Sequence, residues 1–193
     1  MVGNNGTKPL QKQNQFNIMY RIVITGAEST GKTTLAEQLS AHFEAPCSSE
    51  FVRDFVESSD RPIQIEDLNT IMKGQIDYEN TACEKSPRLV IHDTNLLSNV
   101  VYAEHYFKQT PRELASALSG TQYNLYLFCQ NDIPWKEDGA QRDSLEARDQ
   151  IHQAFEQMLE ESSVPVVQIK GTPENRFYQA INSILEYLSK GTN

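Results

Sequence analysis

Eight consecutive residues, Gly26-Ala27-Glu28-Ser29-Thr30-Gly31-Lys32-Thr33, follow the spacing G-x-x-x-x-G-K-[ST] without a gap. No other feature restricts the fold as strongly, because this spacing has chemical meaning only where a strand hands over to a helix. Tyr20–Thr25 (YRIVIT), just before it, is a β-branched run that ends on a glycine and reads as a strand. After it the apolar period changes: Leu35, Leu39 and Phe43 recur every four residues, on one face of a helix beginning near Lys32. Between the two, glycines let the backbone close around an anion, helix-start N–H groups point at it, and the helix dipole adds partial positive charge. The expectation is that Gly26 to Thr34 cradles the phosphates of ATP. Lys32 reaches the β- and γ-phosphates, the Thr33 hydroxyl holds Mg²⁺, and Thr34 lies near the α-phosphate.

The rest of the chain repeats the strand–helix alternation. Residues 46–49 are a weak second strand, 89–92 a buried apolar strand capped by Asp93, 123–129 a fourth and 164–169 a fifth. Helices are expected over 50–57, 65–83, 96–107, 112–118, 144–161 and 174–188, with Pro111 suited to a first helical turn. This alternation predicts an α/β fold: a three-layer P-loop NTPase with a five-stranded parallel sheet covered by helices on both faces. The polar stretch 131–142 reads as a loop, and 131–148 as a lid of the kind nucleoside and nucleotide kinases carry. Residues 1–19 are polar and read as a disordered leader, leaving 20–193 as one kinase-sized domain.

Charge and cysteines narrow the function class. A formal charge of −9 without any Lys/Arg block argues against a broad nucleic-acid surface, but not against a single nucleotide held by a few donors. No apolar run is long enough to span a membrane. Cys47, Cys83 and Cys129 are widely spaced and odd in number, which suits reduced thiols in a cytoplasm and offers no metal-site spacing.

Ligands in open parallel sheets lie beyond the carboxyl ends of the strands. Asp93 ends one strand and is expected beside Mg²⁺. Glu50 follows the second strand and could bind an acceptor hydroxyl or take its proton; Arg53 shares its helical face. Glu50 and Asp93 are both candidates for the base. In the lid segment, Trp135, Gly139 and the arginines Arg142 and Arg148 suggest a cover that brings positive charge to the transferring phosphoryl group. Arg176, after Gly171-Thr172-Pro173, could flank the adenine. The bland readings are a strand-end cap for Asp93, a solvated helix start for Glu50, and exposed, acid-paired arginines.

The segments GAESTGKTT, SEFVRDFVE, IHDTNL, PWKEDG and NRFYQAI, in that order, resemble the ribosylnicotinamide kinase domain at the C-terminal end of the bifunctional bacterial NAD-biosynthesis regulator. That domain is also found alone as an AAA-type ATPase, and the resemblance runs from about Arg21 to Leu188. It implies ATP-dependent phosphorylation of nicotinamide riboside to its mononucleotide, with Glu50 and Arg53 in the acceptor pocket and Asp93 beside Mg²⁺ or the acceptor hydroxyl; Asn95, Tyr102 and Trp135 are further candidates to bind the substrate. Gly74-Gln75 also match a short family signal without a derivable role. Ser49 stands where relatives carry tryptophan, so an aromatic platform for a pyridinium ring would come from Phe51, Tyr102 or Tyr106. Gln141 stands where relatives carry a lid arginine, which would move that role to Arg142 or Arg148. Two alternatives remain: a kinase for another nucleoside or a small alcohol, and an NTP-binding regulatory switch without acceptor. Oligomeric state is not legible.

Overall fold

The computed structural model describes residues 19–86, 88–134 and 145–191. The expected leader, apart from residue 19, and the lid residues Trp135 and Arg142 lie outside the described residues.

Five strands, β1 (Tyr20–Thr25), β2 (Cys47–Ser48), β3 (Leu89–Asp93), β4 (Leu125–Cys129) and β5 (Val166–Ile169), form one parallel sheet in the order β2-β3-β1-β4-β5. The helices are α1 (Lys32–Phe43), α2 (Phe51–Glu57), α3 (Leu68–Glu84), α4 (Leu96–Phe107), α5 (Arg112–Gly120), α6 (Leu145–Glu160) and α7 (Pro173–Lys190). The chain is therefore the three-layer P-loop NTPase expected from its alternation.

Period-two alternation along the strands builds the layers. Ile22, Ile24, Leu125 and Leu127 point to one face and meet Leu35 and Leu39 of α1 and Ile181 and Ile184 of α7. Val23, Tyr126 and Phe128 point to the other and meet Leu97 and Val101 of α4 and Ile151 and Phe155 of α6. Burying each such side chain contributes roughly 1.5–3 kcal/mol, so the central strands β1 and β4 are the stiffest platform available. A third cluster joins α3, α4 and α5 through Leu68, Leu96 and Leu114.

Three strands are shorter than expected, each for a local reason. The first residue expected in β2 is Pro46, which cannot donate to the ladder, although its carbonyl accepts from Ile91 N–H at 2.9 Å. Pro165 likewise precedes β5 and offers only its carbonyl, to Tyr126 N–H at 2.9 Å. Before β4, the Asn124 side chain takes the Arg21 N–H at 2.7 Å and closes that end of the sheet. The expected helix at 65–83 begins as a single tight turn, Ile65–Asp67, before α3. Pro111 takes the N-cap position of α5, with extended ψ, and not the first turn.

Candidate active site

The loop between β1 and α1 turns through backbone conformations that explain its glycines. Gly26 has φ 137°, and a Cβ there would lie 2.6 Å from the Cys129 carbonyl oxygen. Gly31, the N-cap of α1, has φ 79°. Ser29 carries the same left-handed sign without being glycine, at φ 55°. Inside the loop, the Ala27 carbonyl accepts from both Thr30 Oγ1 and Lys32 Nζ, each at 2.7 Å. The lysine is thus buried and folded over the cradle it is expected to serve.

Two arginines brace this loop from below, and both differ from their expected roles. Arg176 is 3% exposed. Its guanidinium donates to the Thr30, Gln130 and Gly171 carbonyls at 3.1, 2.9 and 2.9 Å, and pairs with Asp132. With its fork spent on the backbone, it does not flank an adenine. Arg148 is 2% exposed and donates to Ile133 O at 3.1 Å and Ser29 O at 3.4 Å. It ties α6 to the loop and is not poised as a lid arginine; burial pulls its pKa down. Thr34 is exposed.

Asp93 ends β3 beside the cradle, as expected. The Thr33 hydroxyl lies close enough to favour its ionised form, and its Oδ1 is buried without a protein partner. Burial first, and the nearby Glu50 carboxylate second, push its pKa up; Thr33, Lys32 and Arg53 pull it back. Thr94, next in the chain, adopts φ 66°, a strained conformation for a β-branched residue, and its buried hydroxyl also lacks a partner. Such strain at a strand end turns the chain sharply out of the sheet beside the cradle.

The acceptor candidates divide. Glu50 is the N-cap residue of α2, yet its side chain does not cap the helix. It pairs instead with Arg53 at 2.9 Å, and Arg53 Nη2 reaches Thr33 Oγ1 at 3.3 Å. Glu50, Arg53, Thr33 and Asp93 therefore form one connected group. Tyr102 joins from α4, donating to Glu28 Oε2 at 3.2 Å, while Glu28 Oε1 is buried and unpartnered. Burial, then Glu28 and Glu50, raise the Tyr102 pKa. Tyr106 stacks on Tyr102 with ring centroids 6.2 Å apart. Asn95 is corrected: its Oδ1 accepts from Leu97 N–H at 3.2 Å as the N-cap of α4, and its Nδ2 donates to Tyr126 at 3.0 Å. Both contacts serve the fold, and the side chain is fully buried. Phe51 also leaves the list of platforms, because its ring packs edge-on against Tyr78, 5.2 Å away.

The donor set suits Mg²⁺: a hydroxyl and an orphaned carboxylate oxygen beside a phosphate cradle, all hard oxygen ligands. Among the described residues, no group of three His, Cys, Asp or Glu could hold a metal alone. No helix among them is long and apolar enough to cross a membrane.

The family model described as an AAA domain matches residues 21–176. The chain is similar to the trifunctional NAD biosynthesis/regulator protein NadR of Escherichia coli strain K12, with 23% identity over 175 residues, 88% of this chain and 43% of that protein. It thus spans less than half the length of this curated relative. A NadR protein solved in complex with NR superimposes with TM-score 0.77 at 24% identity, covering 88% of this chain and 51% of that one. A complex of NadR with NAD and AMP-PNP gives 0.73 at 25%, covering 88% and 49%. Thymidylate kinase from Ehrlichia chaffeensis gives 0.65 at 10%, covering 86% and 98%, and so shares the fold.

Proposed function

The chain belongs to the AAA domain family, and on that premise we propose that it is an ATP-dependent kinase whose acceptor is nicotinamide riboside. The observation that carries the acceptor is the charge of the pocket. Glu28, Glu50 and Asp93 gather around Tyr102 and the mouth of the cradle, and Arg53 is already paired with Glu50. With Glu50 paired to Arg53 and Asp93 assigned to Mg²⁺, a neutral nucleoside would bring no positive charge to Glu28, whose Oε1 is buried without a hydrogen-bond partner. A pyridinium riboside brings a positive ring to that carboxylate and to the Tyr102–Tyr106 face. The likeness to a NadR protein in complex with NR supports the same choice.

The phosphate cradle holds the triphosphate by backbone N–H groups, and Lys32 swings from Ala27 O to the transferring phosphoryl oxygens. Thr33 and Asp93 would hold Mg²⁺, which when bound offsets charge on the β- and γ-phosphates. Glu50 and Arg53 orient the acceptor hydroxyl in line with the γ-phosphorus. As the new O–P bond forms and the bond to the ADP oxygen breaks, the hydroxyl proton passes to a carboxylate. Glu50 and Asp93 are the two candidates to take it.

A nucleoside panel that follows ADP and phosphorylated product together tests the proposal. Nicotinamide riboside should give product with equal ADP, and its uncharged dihydro form should be the poorer acceptor. Turnover of a neutral nucleoside alone would replace the acceptor. ADP release that no acceptor accelerates would point to a regulatory switch instead.

A further inference from the structure

The acceptor arm, residues 49–57, has an unusual problem of support. α2 is a seven-residue helix with no buried residue, so core burial does not fix it. β2, which leads into it, is two residues long. Yet Glu50 must be held at the mouth of the phosphate cradle to orient an acceptor.

The support comes from α3, at two consecutive residues. Gln75 is 1% exposed, and its side-chain amide faces the backbone on both sides of Glu50. Its Oε1 accepts from Phe51 N–H at 3.0 Å, and its Nε2 approaches Ser49 O at 3.4 Å. A primary amide carries its acceptor oxygen and its donor nitrogen on separate atoms, so it can serve a backbone N–H and a backbone carbonyl at once. Gly74 forms the seat for Phe51: a Cβ there would lie 2.4 Å from the ring. Gly74 is interior to a helix, where glycine is disfavoured relative to alanine, so the close approach of the ring gives it a reason. Tyr78, one turn on, closes the seam by packing on Phe51 and donating to Asp54.

We propose that Gly74 and Gln75 are positioning residues for the acceptor: Gln75 clamps the backbone around Glu50, and Gly74 admits the Phe51 ring that anchors the start of α2. This rests on the acceptor role given to Glu50 above. Neither residue touches substrate. Their effect is to convert a short, surface helix into a fixed arm, so that Glu50 meets the acceptor without first being ordered.

Four proteins are compared: wild type, Gln75→Met, Gly74→Ala, and Gly74→Ala combined with Phe51→Leu. Gln75→Met keeps length and removes both hydrogen bonds. We expect it to raise the acceptor KM roughly 10- to 100-fold, from the loss of two buried hydrogen bonds, while affinity for an ATP analogue stays within about twofold of wild type. Gly74→Ala should act in the same direction, and Phe51→Leu should restore much of the loss by clearing the ring from the new methyl group. Such rescue is not expected of a merely structural defect in α3. Amide hydrogen exchange gives a readout free of any acceptor: in Gln75→Met, exchange over 49–57 should rise at least roughly tenfold while 20–45 stays protected.

If wild type phosphorylates no acceptor, the functional reading fails, and exchange alone still decides whether the clamp exists. If wild type is active and Gln75→Met keeps its acceptor KM, or if exchange over 49–57 is unchanged, the positioning role is overturned. A loss of ATP-analogue affinity equal to the loss in acceptor KM would overturn it too, by showing a general defect of the fold.

Discussion

The two sides of the site are built by different means. The nucleotide side is a contiguous stretch of backbone, from Gly26 to Thr33, seated at the end of the central strand β1 against β4 and braced by Arg176 and Arg148 through their carbonyl contacts. The side proposed for the acceptor is a short helix without buried residues, held by side-chain contacts from α3. The contrast teaches where precision comes from. Phosphate geometry is common to all nucleotides, so it can be met by backbone atoms whose placement follows from φ and ψ. An acceptor differs from enzyme to enzyme, so it is met by side chains on an arm that can be re-aimed without disturbing the sheet.

The sharpest way to break this contrast is to attack the bracing on the nucleotide side. Arg176→Met should strand three carbonyls and Asp132, and should cost about 4 kcal/mol in unfolding free energy. Urea denaturation measures this, and a loss below about 1 kcal/mol would mean that the loop holds its own shape. Lys32→Ala comes next. It removes one hydrogen bond, to Ala27 O, so the fold should survive with a loss of about 1 kcal/mol. Turnover should nevertheless fall roughly 10²- to 10³-fold, the usual effect of deleting one donor to a developing anion. Unchanged turnover would remove the cradle from the mechanism.

Legibility in the sequence follows the same division. The cradle was readable because every residue it uses is a neighbour in the chain, and β1 and α1 announce themselves by a change of period from two to nearly four. Asp93 was readable because a charge at the end of an apolar strand must lie at the rim of the sheet. Arg176 was misread: an arginine in the first turn of a helix looks solvated, and nothing local says that its fork reaches Thr30, far away in the chain. Asn95 was misread for the opposite reason, since a polar residue at a strand end serves equally as a helix cap. Gln75 carried only a pattern without a role, because its partners Ser49 and Phe51 lie across the fold.

Behind the acceptor arm lies a buried polar group whose pH behaviour sharpens the comparison. Glu79 accepts from Arg21 at 2.5 Å and Tyr123 at 2.8 Å, and burial pushes its pKa up to about 7, against the pull of Tyr123, Arg21 and Gln75. His92, bonded to Ser48 at 2.8 Å and beside Arg21, is pushed down to about 3 by burial. A raised carboxyl stabilises fully below the unfolded value near 4.5, and that contribution is lost as pH rises through about 7. A depressed histidine stabilises above its unfolded value near 6.5, and that contribution is lost as pH falls toward 3. Between about 4.5 and 6.5 the two slopes oppose, so wild-type stability should be nearly flat there. Glu79→Gln should unmask the histidine: stability should then drop by about 1 kcal/mol per pH unit on acidification through that window. Melting temperature against pH, for both proteins, reads the difference. A variant as flat as wild type would show that the two groups do not titrate independently.

The smallest expected effect separates the two sides most cleanly. Tyr102 touches the cradle through Glu28, and in the proposed reading its ring, stacked on Tyr106, would face the acceptor, so a single oxygen would belong to one side and the aromatic body to the other. Tyr102→Phe deletes only the hydroxyl and leaves Glu28 Oε2 without its donor, a cost of about 1 kcal/mol. If the ring is the acceptor platform, the acceptor KM should change less than about threefold, while Tyr102→Ala should raise it by roughly tenfold. If the hydroxyl matters because it orients Glu28 toward a cationic ring, Tyr102→Phe should instead lose discrimination between nicotinamide riboside and its uncharged dihydro form. Either result leaves the ATP KM within about twofold, because the cradle is held by backbone and by arginines that do not contact this tyrosine. A shift in ATP KM as large as that in acceptor KM would mean that the two sides are one mechanical unit, and that the division drawn between them is false.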